Sequence, residues 1–253
     1  MSTRGRSKGT QVDIDYDATH TFFEARARRD YANVLSATMY QDQNPDLVAR
    51  RDQAEKDALG PRLRLRSGCK VLDIGCGLGR WGWFISDQVA DAAYLGIDFS
   101  ASLIEKAETQ ARLLDKPQLR FQVMSATAIE PALLDVAPPY DLVIVAGLLI
   151  YLNEEDCVKV LADACRLCAP GGLVYLREPV GVQERMTLDR FYSNELQQEY
   201  SAIYRTIPEL ERLLARATAA DTFSVQDAGF LFADELEKRA ETRQYFMILQ
   251  RAH

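Results

Sequence analysis

Histidine is nearly missing from this chain: His20 and His253 are the only two in 253 residues. A multi-histidine metal centre is thereby excluded. Cysteine is scarce, and its five scattered residues are odd in number, which argues against a disulfide framework and fits a reducing compartment. Cys165 and Cys168 form a C-x-x-C, but both fall in an expected helix and no second ligand pair follows, so no metal is expected. No apolar run approaches the roughly 18 residues that span a bilayer, and no signal-peptide core follows Met1. A cytoplasmic protein without a membrane partner is expected. Positive charge is also short, because 30 Lys and Arg stand against 37 Asp and Glu and leave a net charge of −7. That balance argues against a broad phosphate-binding surface, and hence against a nucleic-acid partner. The one basic cluster, Arg4, Arg6 and Lys8, reads as a solvated, disordered tail over residues 1–10.

Apolar residues are plentiful, at 47%, so a chain of this length can bury a full core. The stretch Lys70-Val71-Leu72-Asp73-Ile74-Gly75-Cys76-Gly77-Leu78-Gly79-Arg80 organises it. An apolar run meets three alternate glycines, as where a buried parallel strand ends in a tight turn that opens a helix. Glycine lets backbone approach a ligand, and the free N–H groups of the helix favour an anionic group such as a carboxylate or phosphate. The spacing departs from the dinucleotide fingerprint, since Arg80 stands where the third glycine belongs. Asp73, two residues before Gly75, suits a cofactor with a positive end better than a pyrophosphate. NAD or another nucleotide, and a purely structural turn, remain as alternatives to that reading.

In this D-x-G-x-G-x-G form the stretch resembles the first motif of the class I S-adenosylmethionine (SAM)-dependent methyltransferases. The resemblance implies SAM as cofactor, with Asp73, Gly75, Cys76, Gly77 and Gly79 at its amino-acid end. Asp98 follows Gly75 by 23 residues, at the end of the next strand, where a carboxylate accepts both hydrogen bonds of a ribose diol. By the same resemblance Asp98 takes the ribose hydroxyls and Phe99 packs on the adenine. The family has an acidic residue at the end of the third strand; here Ser125 and Ala126 stand there, with side-chain or backbone groups for the ring. Ala146-Gly147-Leu148 resembles the corresponding segment of small-molecule methyltransferases. It lacks the acidic group of a magnesium-assisted site.

Strands are expected at 71–74, 93–97, 119–124, 141–146 and 172–177, alternating with helices, which gives a Rossmann-like, doubly wound α/β sheet. Residues 231–236 and 244–249 look like the terminal antiparallel hairpin of the seven-stranded methyltransferase sheet. Ahead of the sheet, residues 11–61 are expected as a helical lid: one helix over 22–39, and a second begun by Asn44-Pro45 and stopped by Gly60-Pro61. Few apolar residues mark that second helix, so it is expected to bury only a narrow stripe. The SAM-binding domain then runs over 62–253, with a substrate-cap insertion at about 180–205 that carries Phe191, Tyr192, Tyr200 and Tyr204.

These features point to metal-independent methyl transfer from SAM to a small-molecule acceptor. The alternative keeps SAM as a bound group for another reaction such as cyclisation, or for binding alone, because fold does not fix function. His20, in the aromatic lid segment, is the candidate general base, and Glu178, at the end of the fifth strand, is its rival.

Overall fold

The computed structural model describes residues 5–40, 43–218, 222–237 and 239–253. The chain opens with strand β1 (Gly5–Lys8), then helices α1 (Tyr16–Ala27), α2 (Ser36–Met39) and α3 (Pro45–Leu59). An alternating segment follows: β2 (Lys70–Ile74), α4 (Arg80–Gln88), β3 (Ala93–Asp98), α5 (Ala101–Leu113), β4 (Leu119–Val123), β5 (Tyr140–Ala146), α6 (Glu154–Leu167) and β6 (Cys168–Gly181). A hairpin of β7 (Met186–Ser193) and β8 (Gln198–Tyr204), helix α7 (Ile207–Ala217), and strands β9 (Phe223–Phe230) and β10 (Thr242–Arg251) complete it.

Seven strands form one sheet in the order β4-β3-β2-β5-β6-β10-β9. The first five are mutually parallel, and β10 runs antiparallel between β6 and β9. This is the doubly wound sheet with a terminal antiparallel pair that the sequence implies. The order reverses between β2 and β5, so a crevice opens at their carboxyl ends. Side chains alternate between the two faces. Leu72, Ile74, Val143 and Val145 pack under α6 and α7, whereas Val71, Ile144 and Tyr175 pack against α4, α5 and the end of α3.

Several expected boundaries are corrected. The tail is not wholly free: Gly5–Lys8 pairs antiparallel with Met186–Asp189, and Arg6 and Lys8 reach Glu241 and Glu184 at 2.6 and 2.9 Å. Arg4 and the three residues before it lie outside the described residues. The helix expected over 22–39 is two. Arg26 is fully buried and donates through Nε to the Ala37 carbonyl at 2.9 Å, which folds the chain back between α1 and α2. The terminal hairpin uses Phe223–Phe230 rather than residues 231–236, because an edge strand with Ser224, Gln226 and Asp227 facing out carries little apolar signal. Strand β6 extends past residue 177 to Gly181, held by its pairing with β10.

By contrast, α3 starts and stops where expected. Asn44 Oδ1 accepts from the Leu47 N–H at 3.0 Å, and Pro45 occupies the first turn. A capping box of Thr206 and Glu209 opens α7. The segment expected as a substrate cap is the β7–β8 hairpin, which with β1 makes a separate three-stranded sheet. Phe22, Phe23 and Ala27 of α1 pack with Met186, Leu188 and Tyr200 of that hairpin in a third apolar cluster.

Candidate active site

A cavity of about 280 Å³ lies across the carboxyl ends of the parallel strands. Its size sits near the lower end of small-molecule pockets, roughly 300 Å³ upward. The turn after β2 forms its floor. Gly77 has φ of 56°, and a Cβ there would lie 2.8 Å from Thr38 Cγ2 of α2, so the turn is left-handed and closely roofed. Gly79 serves a different purpose: its missing side chain admits the Phe121 ring, 2.3 Å from where a Cβ would stand, and it does not line the cavity.

Asp98 lines the cavity and is only 7% exposed. Its Oδ2 accepts from the Gly77 N–H and its Oδ1 from the Ser100 N–H, both at 2.9 Å. Each oxygen keeps a second lone pair. Burial pushes the carboxyl up to about 6, against the pull of those two hydrogen bonds. Phe99, Ser125, Ala126, Ala146, Gly147 and Leu148 line the same cavity, as do Gly75 and Cys76. The hydroxyl of Ser125 is engaged with Thr127, at 3.0 Å to Oγ1 and 3.3 Å from its N–H, and Thr127 also lines the cavity.

Asp73 is placed elsewhere. It shares a strand face with Val71, so it points beneath α4, where its Oδ2 accepts from the Tyr94 hydroxyl at 2.7 Å. Burial pushes it up to about 6. It is a buried support of the turn rather than a group on the cavity wall.

Neither candidate base lines the cavity. His20 is exposed and sets its ring edge-on to Phe99, with centroids 5.3 Å apart. Glu178 is buried and accepts from three backbone N–H groups, those of Leu148 and Leu149 through Oε1 at 2.9 and 3.0 Å and that of Ile150 through Oε2 at 3.3 Å. Arg205 donates to the carbonyls of Leu149 and Leu152 at 2.7 and 2.8 Å. The Glu178 carboxyl at the N–H end and the Arg205 guanidinium at the carbonyl end thus clamp the short turn that carries Tyr151 into the cavity. Glu178 positions that turn.

The sequence reading did not find the charges that α3 contributes. Glu55, 1% exposed, accepts from Arg80 at 3.0 Å, from the Tyr175 hydroxyl at 2.6 Å and from Arg177 Nε at 3.2 Å. Arg80 also reaches Asp52 at 3.0 Å, and Asp52 takes Lys56 at 2.5 Å. Burial would raise Glu55, but the Arg177 and Arg80 guanidiniums outweigh it and hold the carboxyl down to about 2. The polar signal was there in Asp52, Glu55 and Lys56 at helical spacing, with Arg80 just past the glycines. Five tyrosines complete the wall: Tyr16, Tyr40, Tyr151, Tyr200 and Tyr204. The Tyr40 and Tyr151 hydroxyls are hydrogen-bonded to each other.

Among the described residues no group of three or more His, Cys, Asp or Glu is arranged to hold a metal ion. Cys165 and Cys168 are free and buried, the first in α6 and the second at the start of β6.

Comparison with known proteins agrees with this geometry. A family model described as a methyltransferase domain matches residues 71–172, from β2 into β6. A demethylmenaquinone methyltransferase of Bacillus pumilus is 26% identical over 140 residues, 55% of this chain and 57% of its own. A trans-aconitate 2-methyltransferase of Methylobacterium radiotolerans is 32% identical over 146 residues, 56% of this chain and 52% of its own. The chain thus spans little more than half the length of either relative. In fold it is similar to the 1,6-didemethyltoxoflavin-N1-methyltransferase of Burkholderia thailandensis, with a TM-score of 0.62 and 17% identity over 100% of this chain and 97% of that one. Residues 71–172 thus carry a methyltransferase domain, and the sheet that contains it is similar in fold to that of a SAM-dependent methyltransferase.

Proposed function

We propose that this protein transfers a methyl group from SAM to a small-molecule acceptor without a metal ion. The observation that carries the reading is Asp98: a buried carboxylate on the cavity wall, fixed by the Gly77 and Ser100 N–H groups with lone pairs left over. That arrangement fits a ribose diol. The bare backbone of Gly75 and Gly77 suits the close approach of the amino-acid end, and Phe99 offers a ring face to the adenine. When bound, SAM supplies an electrophilic methyl on a sulfonium centre.

The work of the chain's own residues is then alignment and exclusion of water. Phe23, Tyr40, Tyr151, Tyr200 and Tyr204 make an aromatic chamber beside the cofactor wall, matched to an acceptor with apolar or aromatic surface. Burial raises the Tyr151 and Tyr204 hydroxyls well above their ordinary value, so they stay protonated and serve as hydrogen-bond donors. Residues 11–61 act as the lid, supported by Thr38 above Gly77 and Glu55 behind Arg80.

We further place the protein in the cytoplasm, acting on a small molecule rather than nucleic acid. The five free cysteines and the net charge of −7 support this, and among the described residues no helix is long and apolar enough to cross a membrane. Transfer of label from methyl-labelled SAM into an extract-derived acceptor tests the reaction. Binding of S-adenosylhomocysteine with no transfer to any acceptor would instead favour a cyclisation or a binding role.

A further inference from the structure

Arg51 sits one helical turn before Glu55 on α3, lines the cavity, and is only 6% exposed. Its neighbours Arg80 and Arg177 are both ion-paired to Glu55. Arg51 is not: among the described residues it makes no ion pair, and its one hydrogen bond runs from Nη1 to the Leu236 carbonyl at 2.9 Å. The Phe232 ring lies 4.7 Å from its Cζ and supports the guanidinium from one side. Burial pulls it down to about 10, with the nearby but unbonded carboxylates of Glu237 and Glu55 acting against that pull and Arg177 adding to it, so it remains a cation at neutral pH. A guanidinium carries five N–H donors in a planar fork, and burying one without a counter-ion is costly. Arg51 lines the cavity, so a ligand bound there is within its reach.

We propose that Arg51 is the carboxylate receptor of this cavity, pairing through its fork with a carboxylate of the bound ligand. This rests on the proposed methyl-transfer function, which offers two sources: the amino-acid end of SAM, or an acid group on the acceptor. Planar, bidentate geometry matches a carboxylate. A doubly charged phosphate fits less well, because Glu237 lines the same wall and Glu55 lies one turn away.

The test compares wild type with Arg51→Met, which keeps the apolar stem, and Arg51→Lys, which keeps the charge but loses the fork. Melting of the ligand-free proteins comes first: Arg51→Met is expected to melt no lower than wild type, because an unpaired buried charge has been removed. A clear loss of thermal stability in Arg51→Met would make Arg51 a structural brace and overturn the proposal. Affinities are then measured for S-adenosylhomocysteine and for 5′-methylthioadenosine, which has no amino-acid end. If the cofactor is the source, Arg51→Met weakens S-adenosylhomocysteine roughly 10- to 100-fold and leaves 5′-methylthioadenosine unchanged, with Arg51→Lys between. If the acceptor is the source, S-adenosylhomocysteine binds both proteins equally. Benzoate, added to the S-adenosylhomocysteine complex, then binds wild type and not Arg51→Met. Equal S-adenosylhomocysteine affinity, together with benzoate binding that is absent or the same in both, overturns the proposal. Failure of wild type to bind either adenosine compound would instead overturn the cofactor reading, and the benzoate comparison, made on ligand-free protein, would still decide the role of Arg51.

Discussion

The glycine turn and α3 meet at one cavity but are built from opposite materials. The turn is held by backbone and apolar packing: Gly75 and Cys76 donate to the Ile97 carbonyl at 2.8 and 3.0 Å, and Leu72 and Ile74 are fully buried. Helix α3 buries Arg51, Asp52, Glu55 and Lys56 instead. A site wall made of backbone tolerates changes in side chains around it, whereas a wall of interlocked charges fails when one member is removed. The two halves of this cavity should therefore respond differently to substitution.

The largest effect is expected at Glu55. Glu55→Ala leaves Arg177 without its ion pair and Arg80 with Asp52 alone, both in a buried setting, and it should cost about 3–5 kcal/mol of stability in denaturant unfolding. A loss below about 1 kcal/mol, typical of surface pairs, would show that α3 is a loosely docked cover and not part of the core.

The second prediction concerns pH. Asp98, raised to about 6, is ionised above that value and becomes a neutral acid below it. The affinity for S-adenosylhomocysteine is therefore expected to be flat above pH 7 and to fall below pH 6, by up to about tenfold per unit. Stability runs the other way. A carboxyl whose folded-state value lies above its ordinary 3.8 carries a penalty that is full above pH 6 and gone below 3.8, and Asp73 behaves alike. Glu55 and Glu24 are held down to about 2 despite burial, the former by Arg177 and Arg80, the latter by hydrogen bonds from Ser102 and Ser100. Their stabilisation is complete above pH 4.5 and is lost as pH falls toward 2. Melting temperatures between pH 7 and 3 should separate the two windows, and a monotonic fall from pH 7 downward would contradict the assignment.

A third measurement sharpens the same contrast. α1 is anchored by Glu24 on Ser100 and Ser102 and by its apolar packing, while α2 places Thr38 over the glycine turn. Hydrogen exchange should slow on α2 and α3 when S-adenosylhomocysteine is added, with α1 already protected. Protection confined to β2–β5 would make the whole segment a passive brace. The smallest effect is expected at His20: His20→Ala should leave S-adenosylhomocysteine affinity and turnover within about twofold, because its exposed ring does not line the cavity and is not placed to meet an acceptor. A large drop in kcat alone would restore His20 as the base.

Legibility followed the same division. β2 through α6 could be read because each strand is a short apolar run and α5 opens on the cap of Ser100, and the position of Asp98 could be read because its distance from Gly75 is fixed by one helix and one strand. Asp73 misled because its spacing suits a ligand while its strand face turns it toward Tyr94. Arg51 and Glu55 were missed because apolar periodicity has no means of marking a helix that buries charge, and Glu178, named as a candidate base, turned out to hold a turn because three backbone donors claim it only once the chain is folded. The edge strand β9 hid behind its polar face.

The account rests on Asp98 holding the ribose of the cofactor within this cavity, and calorimetry of S-adenosylhomocysteine with wild type and Asp98→Ala at pH 7.5 tests it most directly. Loss of a charged acceptor for two hydroxyls should cost about 1.5–3 kcal/mol, a weakening of roughly 10- to 150-fold, in a variant that remains folded. Equal affinity in the two folded proteins would contradict the account.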